Sequence, residues 1–224
     1  MHREDLIKSI HSGVRAACKE YGKWSGGESI HDRGIESLLV SSVARKIVKG
    51  WKAHSRTAYL SLETPFSEVA ENSYSIPKMG PRPKVLRGNR RADLVLWNSA
   101  MKVSGVIEVK RKWSPGSCHH DLKRLRGLVK QYGCHHEGTV QMGFLVTLVV
   151  VEKSKFEGRV GEIKESVGAI KTDDVSVRVH PDHLVAYEDT EQGKTGYSMV
   201  IEVVPKRPNG GAAEHDGSNG DDGD

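Results

Sequence analysis

A chain of 224 residues, of which 37% are hydrophobic, is long enough for one domain with a sizeable core and short for two large domains. No stretch approaches the ~20 apolar residues that span a bilayer, and the N-terminal MHREDLIKSI lacks the apolar core of a signal peptide. The three cysteines are odd in number and widely spaced, which fits reduced thiols better than a disulfide framework. We therefore expect a soluble, cytoplasmic domain with no membrane partner.

The charge of the chain is unevenly distributed. Its net charge is +5, but all 34 Lys and Arg and only 24 of the 29 Asp and Glu lie in residues 1–208, which therefore carry +10. Such a basic body attracts polyanions, of which nucleic acid is the commonest in cells, although a solubilising surface would carry the same charge. We expect residues 1–208 to form a single domain and residues 209–224, which are acidic and low in complexity, to form a disordered tail.

Helical periodicity marks the N-terminal part of the chain. Residues 3–21 place apolar side chains at helical spacing and predict an amphipathic helix. Residues 28–49 predict a second helix, which contains Glu36 and has Lys and Arg in its last turns.

A strand and a long connection follow these helices. Residues 56–63 alternate in the manner of a strand that Pro65 stops, and Glu63 at its end is a further acidic candidate. Residues 64–89 contain four prolines and several cations, so we expect a basic connection that forms either a DNA-facing loop or a short extra hairpin.

A β-hairpin is predicted next, because two apolar, β-rich runs at 92–97 and 103–109 flank a short polar break. If its turn is centred between residues 100 and 101, Asp93 lies directly opposite Glu108, and Lys110 shares their face. Directly opposed residues have Cβ atoms about 5 Å apart, which lets two carboxylates at these positions bridge a hard divalent cation. A bulge at the turn would shift this register by one residue.

The two faces of the hairpin differ in character. One face carries an apolar set suited to the core, made of Leu94, Leu96, Ile107 and Val109. The other face, which we expect to be solvated, gathers Arg91, Asp93, Glu108 and Lys110.

The C-terminal part alternates helix and strand. Residues 121–133 predict a helix with an apolar stripe beside several cations, and residues 141–151 read as a strand buried on both faces. A weaker helix is predicted at 155–169. One or two further strands are expected at 175–204, with a turn near Gly193.

The spacing of Asp93, Glu108 and Lys110, with fourteen residues between the two acids, resembles the signature of the PD-(D/E)XK nuclease superfamily. Ala92 stands where the motif has proline. The resemblance extends over about residues 28–151, since the order of elements agrees as well. It implies an α/β (α+β) fold with a central mixed β-sheet flanked by helices, built on a restriction-endonuclease-like αβββαβ core.

The resemblance also implies a site. Asp93, Glu108 and Lys110 would be catalytic, and Asp93, Glu108 and the carbonyl of Val109 would hold Mg²⁺ or Mn²⁺, with Glu36 joining the metal cluster. Lys110 would orient or deprotonate the attacking water or neutralise the transition state.

A partner is expected from the same resemblance and from the basic body. Double-stranded DNA is the expected partner, and a homodimer would suit double-strand cleavage. The cations that we expect at the nucleic acid are Arg91, Arg111, Lys112, Lys123 and Arg124.

Three alternatives stay open. The tetrads CHHD at 118–121 and CHHE at 134–137 suggest zinc, but a helix between them separates them by roughly 24 Å, so they cannot share one ion. His119 or His120 could instead touch phosphate or act as a base. The fold could also serve nucleic-acid binding without catalysis, or a protein interaction in which the acidic tail is the working part.

Overall fold

Six strands form one open mixed sheet in the computed structural model, which describes residues 2–53, 58–74, 90–189 and 193–206. The strands are β1 (Tyr59–Pro65), β2 (Arg91–Trp97), β3 (Val103–Lys110), β4 (Met142–Glu152), β5 (Val175–Asp189) and β6 (Lys194–Pro205). Their order in the sheet is β1-β2-β3-β4-β6-β5. β4 runs parallel to β3, and the other neighbouring pairs are antiparallel.

Helices cover both faces of this sheet. They are α1 (Arg3–Trp24), α2 (Ile30–Arg33), α3 (Glu36–Ala53), α4 (Phe66–Glu71), α5 (Pro115–Tyr132) and α6 (Phe156–Gly168). Apolar side chains of α1, α2 and α3 pack on one face, and those of α4, α5 and α6 pack on the other. The predicted mixed α/β architecture, a central mixed sheet flanked by helices, is confirmed. Among the described residues, no helix combines the length and the apolar character needed to cross a membrane.

β4 joins the two halves of the core. Phe144 and Val146 pack toward α1 and α3, whereas Leu145 and Val149 pack toward α5 and α6. All four side chains are buried. A strand covered on both faces needs a nearly continuous apolar run, which is why the sequence predicted it correctly.

α1 and α3 pack closely against each other where α1 carries Gly13. A Cβ atom at this position would lie 2.5 Å from the Cα of Val43, which is closer than packed atoms approach. The glycine therefore permits the two helices to form one layer over the sheet.

The predicted single helix at 28–49 is wrong, because the chain leaves the helical conformation at Gly34. Gly34 is extended, and a Cβ atom there would lie 2.1 Å from Cγ1 of Ile30. The break ends α2 and starts α3 anew, so that Glu36 lies in the first turn of α3.

The predicted long connection at 64–89 is also partly wrong. Pro65 is the last residue of β1, and α4 follows it directly with Phe66, Val69 and Ala70 buried. The rest of that prediction, from residue 75 to residue 89, lies outside the described residues, as does the predicted tail at 209–224.

One more boundary differs from the sequence prediction. α5 begins at Pro115, before the predicted start at residue 121, and proline at a first helical position costs no hydrogen bond. The prediction of one or two strands at 175–204 with a turn near Gly193 is confirmed by β5, which includes Pro181, and by β6. β5 lies at the edge of the sheet, where a proline can be accommodated.

Candidate active site

β2 and β3 bring Asp93 and Glu108 into the same register position. Leu94 pairs with Ile107 and Val95 pairs with Val106, so the next pair outward is Asp93 with Glu108. The backbone N–H of Val109 donates a hydrogen bond of 2.6 Å to Oδ2 of Asp93. Two carboxylates on neighbouring strands thus share one face of the sheet, at the end of β3.

Glu108 is buried, with 2% of its surface exposed, and its face of the hairpin is covered by α5. The expectation that this face of the hairpin is solvated is therefore wrong at Glu108. Nη2 of Arg124, on α5, lies 3.1 Å from Oε1 of Glu108 and 2.5 Å from Oδ1 of Asp121. Arg124 is itself buried, so it does not belong to an exposed helix face as expected. A buried charge network forms the floor of the site.

Lys110 connects this floor to α3. Its Nζ lies 3.5 Å from Oδ2 of Asp121 and 3.6 Å from Oε1 of Glu36. Oε2 of Glu36 accepts a hydrogen bond of 3.1 Å from the backbone N–H of Arg111. Glu36 therefore contacts Lys110 and the backbone of Arg111 at the edge of the site, and its expected part in a metal cluster stays a prediction.

Glu63 of β1 lies beside Asp93 on the other side. Leu62 pairs with Leu94 and Thr64 pairs with Ala92, so Glu63 occupies the position opposite Asp93. Its φ of 50° is uncommon for a residue other than glycine, and its side chain is exposed.

Two carboxyl groups of the site, those of Asp93 and Glu108, have a raised pKa. Burial is the largest cause, and it raises the pKa of Glu108 to about 8 despite the opposing attraction of Arg124. Burial also raises the pKa of Asp93, against the lowering by the N–H of Val109. For Lys110, burial lowers the pKa, but the surrounding carboxylates, led by Asp121, outweigh it and the net shift is upward.

These groups line an open cleft of about 610 Å³. Its walls are Arg90, Arg91, Asp93, Glu108, Lys110, Gly116, Ser117, His120, Asp121 and Arg124. The cleft thus combines carboxylates with cations, which is a chemistry suited to holding a metal ion and a phosphate together.

The residues expected at the nucleic acid differ in their surroundings. Arg91 lines the cleft and donates a hydrogen bond of 2.9 Å to the carbonyl of Glu63. Arg111 donates a hydrogen bond of 2.7 Å from its guanidinium to the carbonyl of Gly34. Lys112 and Lys123 are exposed.

The zinc alternative finds no support in the CHHD tetrad, whose side chains diverge. Cys118 is buried and its sulfur accepts a hydrogen bond from the N–H of Ser114. Nε2 of His119 lies 2.6 Å from Oγ of Ser166 in α6, whereas His120 turns to the cleft. Within the described ranges, no group of three or more His, Cys, Asp or Glu is arranged to hold a metal ion.

Asp121 and the buried role of Arg124 were missed in the sequence. A signal was present, because Asp121, Leu125 and Leu128 recur at spacings of four and three residues and so share one helix face with Arg124. An acid and a base within a buried stripe indicate a buried ion pair.

Comparisons of the chain with protein-family models, with curated proteins and with solved structures found no match. The function must therefore follow from the chemistry of the cleft.

Proposed function

We propose that the protein is a metal-dependent nuclease with a restriction-endonuclease-like core. The observation that carries this proposal is the open cleft in which Asp93 and Glu108 lie at facing positions on neighbouring strands, with Lys110 two residues further along. The order α3, β1, β2, β3, α5 and β4 supports it, because it is the αβββαβ order of the PD-(D/E)XK superfamily with the short α4 inserted. Together these features favour phosphodiester hydrolysis.

The donors of the cleft fit Mg²⁺ or Mn²⁺. Asp93 and Glu108 offer carboxylate oxygens, which hard divalent cations prefer, and the carbonyl of Val109 would add a third oxygen. Burial raises the pKa of both acids, so a bound cation would relieve the cost of keeping them charged. When bound, the ion supplies polarisation of a phosphate oxygen and a bound water of lowered pKa.

The side chains of the chain divide the remaining tasks. Lys110 has a raised pKa and stays protonated, so its role is to orient water and to neutralise charge on the phosphate in the transition state, rather than to remove a proton. Glu36 positions Lys110 from the other side. His120 lines the cleft and is a candidate proton acceptor, because a neutral imidazole ring has one nitrogen without a proton.

Nucleic acid is the substrate that the charges favour. Residues 1–208 carry +10, and Arg91, Lys112 and Lys123 present exposed cations that would contact phosphates. We propose double-stranded DNA as the principal substrate.

A second function, nucleic-acid binding without catalysis, is favoured by one observation. Arg124 lies 3.1 Å from Glu108 and supplies a fixed positive charge beside this buried acid. The guanidinium of Arg124 can neutralise the negative charge of Glu108 without a bound metal ion. A protein that keeps this fold and binds nucleic acid without cleaving it would need such a partner for the buried acid.

Incubation of the purified protein with DNA and RNA, in Mg²⁺, Mn²⁺ or EDTA, separates the two functions. A nuclease cuts in the presence of metal and loses this activity in Glu108→Ala, whereas Glu165→Ala, an exposed acid on α6, serves as the matched control. Salt-sensitive binding with no cutting in any metal would refute the nuclease and favour the binding module.

A further inference from the structure

A second cleft, of about 490 Å³, opens beside the candidate active site at the end of β4. We call it the Trp113 pocket, and its lining includes His31, Trp113, Val149, Lys155, Gly158 and Arg159. It combines an aromatic ring and aliphatic side chains with two cations, which is the composition of a site for a flat, partly polar group attached to an anion.

The Trp113 pocket lies on the same edge of the sheet as the carboxylates. Lys110 pairs with Thr147 of the parallel strand β4, and the strand residues that line the pocket begin at the next position, Leu148. The N–H of Trp113 donates a hydrogen bond of 3.1 Å to the carbonyl of Leu148, which fixes the turn after β3 against β4. Neighbouring strands are about 5 Å apart and successive strand residues about 3 Å, so the backbone of Leu148 lies roughly 6 Å from that of Lys110 and the lining of one cleft begins beside a residue of the other.

The indole of Trp113 packs against one member of the CHHD tetrad, His119. The ring of His119 packs against it at 87°, with ring centroids 6.3 Å apart, and His119 is fixed in turn by Ser166 of α6. A preorganised aromatic ring loses little conformational freedom when another flat ring stacks on it.

The cations of the pocket are available to a phosphate. Lys155 bonds to Glu152 at 2.9 Å and Arg159 bonds to Glu162 at 2.6 Å, each across three residues. Ion pairs of this exposed kind contribute little, so either cation can turn to another anion at small cost.

We propose that the Trp113 pocket binds an unpaired nucleobase of the strand whose phosphate lies in the cleft of Asp93 and Glu108. This inference rests on the proposed nuclease function and narrows its substrate to duplex DNA that carries unpaired nucleotides, such as a frayed or single-stranded end. Base stacking on an aromatic ring together with cations along the backbone is the general means of binding single strands.

Two glycines of α6 provide a matched test. A Cβ atom at Gly158 or at Gly161 meets no atom within 4 Å, and both glycines are exposed, but only Gly158 lines the pocket. Gly158→Phe should therefore fill the pocket without disturbing the fold, and Gly161→Phe adds the same ring to the same helix outside it. Melting curves of both variants verify that they remain folded.

Binding is measured in EDTA by fluorescence anisotropy with labelled oligothymidine, oligouridine and a blunt DNA duplex. We expect Gly158→Phe and Trp113→Ala to weaken binding of the single strand on the order of 5- to 100-fold, with the duplex and Gly161→Phe unchanged. If Gly158→Phe weakens the binding of oligothymidine more than that of oligouridine, the pocket binds a DNA strand. If it weakens the binding of oligouridine more, the pocket binds an RNA strand, and either result supports the pocket.

Equal affinities of Gly158→Phe and Gly161→Phe for the single strand would overturn the inference. An equal loss for strand and duplex in Gly158→Phe would overturn it too, because the pocket would then hold backbone rather than base. Because no metal is present, these results are independent of cleavage. A wild-type protein that binds the single strand through the pocket but cuts neither single strand nor duplex in Mg²⁺ or Mn²⁺ would refute the nuclease and support the pocket.

Discussion

Replacement of Arg124 by methionine should destabilise the protein far more than loss of an ordinary charge. Arg124 is buried and contacts Glu108 at 3.1 Å and Asp121 at 2.5 Å. Removing one partner of a buried ion pair typically costs about 3–5 kcal/mol, because the other charge stays buried without compensation. Lys130→Met is the matched control on the same helix, since the ion pair of Lys130 with Asp174 is exposed and should contribute about 0–1 kcal/mol.

Urea denaturation measures this difference. With a slope of about 3 kcal/mol per molar, a cost of about 3–5 kcal/mol lowers the midpoint by roughly 1–2 M in Arg124→Met. Adding Asp121→Asn to Arg124→Met should restore part of the loss, because the second contact of Arg124 is to Asp121, whereas Glu108, with its pKa raised by burial to about 8, is mostly protonated at neutral pH. If Arg124→Met and Lys130→Met shift the midpoint equally, the buried charge network does not exist as described.

Three further predictions concern single titratable groups. Burial lowers the pKa of His11 to about 4 in the folded protein. As the pH falls, His11 is therefore protonated in the unfolded chain before it is protonated in the folded one. Stability should therefore decline by up to about 3 kcal/mol between pH 6.5 and pH 4 in urea titrations, and a decline of equal size in His11→Asn would contradict this. Burial raises the pKa of Glu108 to about 8, so cleavage at subsaturating Mg²⁺ should rise with pH, by up to tenfold per unit, and level off near pH 8. A flat profile from pH 6 to pH 8 would refute the role of Glu108 as a ligand. Lys110→Gln should lower kcat on the order of 10²-fold or more while the Kd for DNA in EDTA changes little, and a loss confined to Kd would make Lys110 a binding residue only.

The register of the hairpin could be predicted from the sequence, although one detail of its turn was wrong. The turn is centred on Ala100, because the N–H of Asn98 bonds to the carbonyl of Lys102, and a register shift between Leu96 and Trp97 then moves the outer pairs by one residue. The turn is centred half a residue before the predicted centre, and the bulge shifts the strand pairing back by the same amount, so the two effects cancel. Asp93 therefore reaches the position opposite Glu108 that alternation of apolar residues on both strands requires.

Strongly periodic elements such as α1 and β4 could be predicted because burial on one or both faces leaves a repeating apolar pattern. The break at Gly34 could not, because it depends on what lies beside that residue in three dimensions, where Gly34 packs against Ile30. Arg124 is a different case, because the apolar residues that share its helix face are visible in the sequence, although its charge suggested an exposed position.

The rate of Mg²⁺-dependent DNA cleavage by the wild-type protein and by Glu108→Gln tests the central claim most directly. This substitution keeps the size and shape of the side chain and removes only its charge and a metal-binding oxygen. The account predicts cutting by the wild type that EDTA abolishes and that falls by several orders of magnitude in Glu108→Gln. Cutting at an unchanged rate in Glu108→Gln would contradict it.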